Sequence, residues 1–139
     1  MTNQRVILFT TVLLVIGNSL FAQLGIGVAR DTNKSNIAWK VYKDTNVRDA
    51  AIKAANALKS EGYKEAVQGC QLFNNVKSGF YVVIQLDYDI DQPNRKVICL
   101  GVSESSYEDA VDKARKAAFQ NSGHWGTGFK HKELQRAKF

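Results

Sequence analysis

Thr45-Asn46-Val47-Arg48-Asp49-Ala50-Ala51-Ile52-Lys53-Ala54-Ala55-Asn56-Ala57 lies over Ser105-Ser106-Tyr107-Glu108-Asp109-Ala110-Val111-Asp112-Lys113-Ala114-Arg115-Lys116-Ala117, sixty positions later, sharing Asp-Ala, Lys-Ala and a final alanine. Each stretch opens on residues whose side chains can accept from free backbone N–H groups, and Ser105 with Glu108 has capping-box spacing. Apolar positions recur at intervals of three and four: Val47, Ala50, Ala51, Ala54, Ala57 and Leu58 in the first, Tyr107, Ala110, Val111, Ala114, Ala117 and Ala118 in the second. That spacing predicts two amphipathic helices whose buried face is mostly alanine, able to lie close on a sheet. Gly62 and Gly123 are the expected stops.

Working outward, Ile37 to Tyr42 and Val97 to Val102 precede the helices and read as strands, so the unit is strand then helix, twice. An internal strand-helix duplication is therefore expected, although buried alanines alone can produce such a match. Between the copies Phe80, Val82, Ile84, Leu86, Tyr88 and Ile90 alternate with Tyr81, Val83, Gln85, Asp87 and Asp89, a period of two that marks a strand. Turn clusters at 74–79 and 91–94 flank it and predict hairpins on both sides. Tyr63 to Phe73 would supply an earlier strand and Trp125 to Lys132 a last one. The fold class expected is α+β, one antiparallel sheet of four to five strands with two helices on one face, in the order βαβββα(β).

The order αβββα across residues 46 to 120 resembles a double-stranded-RNA-binding domain, with Gly101-Val102-Ser103-Glu104-Ser105-Ser106 and Ala110, Ala114, Ala117 and Ala118 similar to that family's last helix. The resemblance implies topology only. Where the family meets phosphates with lysines this chain has Tyr107, Glu108 and Asp109, and carboxylates repel RNA, so no specific nucleic-acid recognition is expected.

Residues 1–22 read as a signal peptide: Arg5, an apolar run from Val6 to Ile16, and small residues ending at Ala22. The run is too short for a retained membrane span, which needs about 20 apolar residues. Cleavage after Ala22, or alternatively after Ser19, places the protein in a periplasm or outside the cell. In a eukaryotic secretory pathway Asn33-Lys34-Ser35 would be a glycosylation acceptor. Residues 23–35 read as a flexible N-terminal segment and 36–139 as a single small domain. Gln23 to Phe139 carries 18 Lys plus Arg against 13 Asp plus Glu, a net charge of +5. This basic surplus suits a protein partner or an anionic envelope polymer.

Chemistry-bearing residues are few. Cys70 and Cys99 could be bridged in an oxidising compartment, closing a loop of about 30 residues for roughly 3 to 4 kcal/mol. If both their strands flanked the Phe80 strand they would stand about 9 to 10 Å apart, too far for a bridge. No metal or cofactor is expected: His124 and His131 have only Glu133 near them in sequence, and Asp87, Asp89 and Asp91 lack the calcium-loop pattern. Binding is expected at Trp125 and Phe129, in a glycine-aromatic loop, and at Lys130, Lys132, Arg136 and Lys138, four cations on one side of a terminal strand. The function expected is a non-enzymatic binding or inhibitory module of the periplasm, envelope or secretome. The alternative is a small secreted hydrolase or wall-modifying enzyme using Cys99 or Ser103 with His124 or His131.

Overall fold

Gly25, Gly27 and Ala29 alternate with Leu24, Ile26 and Val28 in a strand that the sequence reading missed, and this strand organises half of the molecule. The computed structural model describes residues 22–87, 95–121 and 130–139. Its elements are β1 (Gln23–Arg30), β2 (Asn36–Asp44), α1 (Val47–Ser60), β3 (Ala66–Gln68), β4 (Cys70–Gln71), β5 (Phe80–Asp87), β6 (Lys96–Ser103), α2 (Tyr107–Asn121) and β7 (His131–Lys138). Residues 23–35 are thus not a flexible lead-in: β1 is almost wholly buried, and the turn after it is hydrogen-bonded throughout. The signal-peptide residues 1–21 lie outside the described residues.

The fold is α+β, with its strands divided between two sheets. One has the order β2-β1-β3 and the other β4-β6-β5-β7. All pairings are antiparallel except β4 with β6. The sheets meet face to face: Leu24, Ile26 and Val28 of β1 pack with Val83 of β5 and Ile98, Leu100 and Val102 of β6, joined by Trp39, Tyr81 and Leu134. Each sheet's outer face carries one helix. Ala55 and Leu58 of α1 cover Ala29 and Ala66. Ala110, Ala114 and Ala118 of α2 cover Val82, Ile84, Leu86, Val97 and Cys99. The two helices therefore sit on opposite sides of a sheet pair rather than together on one sheet.

The repeat extends beyond the strand-helix pair. β1, β2, α1 and β3 form a ββαβ unit with its first strand central, and β5, β6, α2 and β7 form another with the same pairings. This arrangement departs from the RNA-binding topology, because β3 belongs to the other sheet. Tyr63 to Phe73 is likewise not one strand. Its β3 closes the first sheet and its β4 opens the second, with Gly69 between them donating to Ile26 O at 2.8 Å. Where β3 stops short, the Gln71 amide takes over: Oε1 accepts from Ile26 N at 2.8 Å and Nε2 donates to Leu24 O at 3.2 Å.

Alanine and glycine set the helix-to-sheet distance. A Cβ on Gly25 or Gly27 would overlap the α1 backbone at Ala50, Ala51, Ala54 or Ala55, and one on Gly101 would overlap the carbonyl oxygen of Ala110. Asn46 caps α1, its Oδ1 accepting from Asp49 N at 2.8 Å. Ser106, not Ser105, caps α2 in the same way at 3.0 Å. Gly123 lies outside the described residues, whereas Gly62 ends α1 in the left-handed region at φ 103°.

Gly101→Ala should lower unfolding stability in urea by about 3 kcal/mol, because backbone meets backbone and no side chain can swing aside. Gly62→Ala has open space around it and should cost only about 1 kcal/mol for its conformation. Equal losses in the two variants would contradict the close-approach account.

Candidate functional site

Between β1 and β2 the chain turns through residues 31–35. Asp31 organises this turn, its Oδ1 accepting from the amides of Asn33 and Ser35 at 2.9 Å each. Lys34 sits in the left-handed region at φ 62°, uncommon for a residue with a side chain. The next two side chains reach the opposite sheet. Ser35 Oγ accepts from Lys96 N at 2.7 Å and Asn36 Oδ1 accepts from Ile98 N at 2.9 Å. The short strand β4 pairs β6 only at Cys99 and Leu100, so these side chains satisfy backbone donors that no strand reaches.

Behind the turn lies a cavity of about 70 Å³, several times what one water needs. Arg30, Lys34, Arg95 and Lys96 line it, with the amides of Gln68 and Asn121. Cys70 forms part of its wall, and no carboxylate lines it among the described residues. Arg30 Nε is buried and has no hydrogen-bond partner among the described residues. An unmet donor of a charged group is costly, and the exposed Lys34 and Lys96 ammonium groups at the cavity do nothing to meet it, since they only donate. The arrangement suits an oxyanion, which would accept from Arg30 and neutralise its neighbours.

A wider cleft of about 430 Å³ shares Asn36 and Lys96 with the cavity and runs on past Ile37, Trp39, Ile98 and Leu134. Two β-bulges shape it. The pairing of β1 with β2 slips between Ala29 and Arg30, leaving Ile37 as the extra residue, and that of β5 with β7 slips between Val83 and Ile84, leaving Leu134 extra. Both extra residues line the cleft, and Ile37 is 53 % exposed. Bulges re-aim side chains at edges and beside sites, and here they turn two apolar groups from facing edge strands toward one opening.

Of the residues singled out from sequence, Trp125, Phe129 and His124 lie outside the described residues. Lys130 is exposed just before β7. Lys132, Arg136 and Lys138 are exposed on β7 but do not share one side: the bulge at Leu134 pairs Lys132 with Gln85, while Arg136 and Lys138 pair with Val82 and Phe80 on the α2 face. Arg136 is already engaged, its Nη2 and Nε donating to the two carboxylate oxygens of Glu133 at 2.6 and 3.1 Å, with the guanidinium stacked over Tyr107. Lys138 lies over the Phe80 ring.

The hydrolase pairing does not form among the described residues. Ser103 Oγ donates to Asp109 at 2.6 Å and accepts from Ser105 N at 3.0 Å, the work of a cap. His131 pairs across β5 at Leu86, whereas Ser103 pairs at Phe80, six residues or about 20 Å along the strand. Cys99 is fully buried under α2. Its thiol is held well above the ordinary pKa, first because it hydrogen-bonds to Cys70 and then because it is buried. Among the described residues no group of His, Cys, Asp and Glu could hold a metal ion, and Asp89 and Asp91 are not described.

Sequence reasoning missed Arg30 and Lys34 because the preceding stretch was not read as a strand. The signal was the period-two alternation of residues 24–29 followed by Asp31-Thr32-Asn33, a turn. Comparison with protein-family models, curated proteins and solved structures finds no match for the chain.

His131 gives a pH test of the β7 placement. Arg115 Nη1 contacts His131 Nδ1 at 2.7 Å, and since a guanidinium only donates, the ring must be neutral with its proton on Nε2. Desolvation first, and the Arg115 charge second, lower the folded pKa below the ordinary 6.5. The unfolded chain therefore takes up the proton first, so stability should fall as pH drops through 6.5 and level off below the folded pKa. The urea midpoint of His131→Gln should show a shallower dependence between pH 7 and pH 5 than the parent. Identical slopes would remove the Arg115 contact from consideration.

Proposed function

We propose that this chain is an exported, non-enzymatic binding module that recognises an anionic group on its partner. Carboxylate or phosphate would enter the cavity at Arg30, while the adjoining apolar part of the partner lies along Ile37, Trp39 and Leu134. The single observation that carries this reading is the buried Nε of Arg30, without a hydrogen-bond partner among the described residues, in a cavity where the described residues supply Lys34 and Lys96 as further cations and no carboxylate. Export rests on the leader-like composition of residues 1–22. No helix among the described residues is long and apolar enough to cross a membrane. An acidic protein segment and an anionic envelope polymer both present the required chemistry.

The β7 cations support a weaker contact. Arg136 and Lys138 already have intramolecular partners, and exposed charges of this kind are screened by salt.

The test is calorimetric titration of the full chain with inorganic phosphate, an alkyl phosphate and a polyuronate, at low and high salt. Saturable single-site binding is expected, tighter for the alkyl phosphate than for phosphate alone. Arg30→Met should weaken it more than tenfold, or about 1.4 kcal/mol. The same variant should unfold at an equal or higher urea concentration, because a buried N–H without a partner has been exchanged for an apolar chain of similar shape. Binding that survives Arg30→Met but vanishes in a Lys132→Ala/Lys138→Ala double variant and on adding salt would move the site to β7 and sink the cavity reading.

A further inference from the structure

The chain has two cysteines, one in the segment that crosses between the sheets and one in the second ββαβ unit. Cys70 and Cys99 are direct register partners in the parallel pairing of β4 with β6. Side chains at paired positions of adjacent strands leave the sheet on the same side, and both cysteines pack into the cluster beneath α2. Neighbouring strands lie about 4.8 Å apart, inside the range of about 4.4 to 6.8 Å between Cα atoms that a disulfide spans. The sheet order removes the objection raised by a simple meander, in which the Phe80 strand would have separated them. Both are free thiols, their sulfurs near one another without being bonded.

We propose that Cys70 and Cys99 form an intramolecular disulfide when the protein meets a disulfide-bearing oxidant, as exported proteins do. The two sulfurs have unequal roles. Cys70 is half-buried and lines the basic cavity, so an oxidant reaches it first. Cys99 is buried and directed at Cys70. The Cys70 thiolate attacks one sulfur of the oxidant, forming a mixed disulfide and expelling one thiolate. Cys99 then gives up its proton to a base and attacks the Cys70 sulfur, expelling the second. Two protein thiols become one disulfide, the oxidant becomes two thiols, and two electrons pass to it.

The bond would fasten β4 at the position where the chain passes from one sheet to the other. Only two residues of β4 pair with β6, and the rest of that crossing is held by Gly69 N on Ile26 O and by the Gln71 amide on β1. A covalent link there ties the crossing segment to the second ββαβ unit. Whether the cavity binds an anion does not enter this inference, and a neutral oxidant keeps the two separate.

The full chain, reduced and then treated with 2-hydroxyethyl disulfide, should lose two hydrogen atoms in mass and yield a Cys70–Cys99 linked peptide on digestion. No thiol should then react with maleimide after unfolding. Cys99→Ser should hold a lasting mixed disulfide at Cys70, whereas Cys70→Ser should keep an unmodified Cys99 until unfolded. The oxidised parent should unfold at a higher urea concentration than the reduced one. A lasting mixed disulfide on the parent with Cys99 still free, a disulfide-linked dimer, or an oxidised form that unfolds at lower urea would each overturn the proposal.

Discussion

The backbone of each helix rests almost directly on a strand, and that close approach is the constraint from which the architecture follows. Gly25 and Gly27 in β1, and Gly101 in β6, offer no Cβ where α1 and α2 pass, and the helices answer with alanine. Small residues on both sides of a contact bury backbone rather than side chains. The large apolar groups are then left for the other face of each sheet. Leu24, Ile26 and Val28 cannot point at α1, because alternation sends them to the opposite side. They need a second apolar face, which β5 and β6 supply. Two thin helix-sheet contacts outside and one thick sheet-sheet contact inside are therefore two results of one pattern.

Joining two such units raises a problem at their borders, because sheets of unequal length leave strand edges without partners. The solution here is side-chain amides and hydroxyls in place of strands. Gln71 takes both a donor and an acceptor of β1, while Ser35 and Asn36 take two donors of β6. Ser35 and Asn36 are among the few buried polar residues, and these bonds are why burial is tolerated. The same bonds fix the β1–β2 turn against the second sheet, which places Lys34 at the cavity and Ile37 at the cleft.

Helices and the three apolar strands β2, β5 and β6 were legible because periodicity is strong over eight or more residues. The α+β class followed from them. β1 was not legible as a strand because glycine occupies the positions that would mark its second face, and a glycine-rich stretch following a leader reads as linker. Its glycines mean helix contact instead. Tyr63 to Phe73 misled for a different reason: a three-residue and a two-residue strand in different sheets have no periodicity to read. That misreading also left open whether the Phe80 strand separates Cys70 from Cys99, which the pairing of β4 with β6 answers. The bulge at Leu134 reversed the parity of β7 and separated Lys132 from Arg136, and a single inserted residue carries no mark in composition. The cavity was invisible because its cations come from residues 30, 34, 95 and 96, brought together only by the face-to-face sheets.

The contrast among the buried polar groups is what gives Arg30 its weight. Ser103 is engaged by its cap and Asn36 by Ile98, and among the half-buried groups Gln71 is engaged by β1 and Asp31 by its own turn. A fold that satisfies these by dedicated side chains leaves the Arg30 Nε without a partner, beside a bulge that breaks the regular register at that very residue. Packing does not require an arginine there, since an apolar chain of similar length would fill the same space without the desolvation cost. Lys34 adds a second departure, holding a backbone conformation that glycine or asparagine would adopt more cheaply. The unmet Arg30 donor and the Lys34 turn converge on one cavity, and an anion bound as proposed would accept from Arg30 and lie beside Lys34. Local costs of this kind, gathered at one opening, are what the proposed binding role would require.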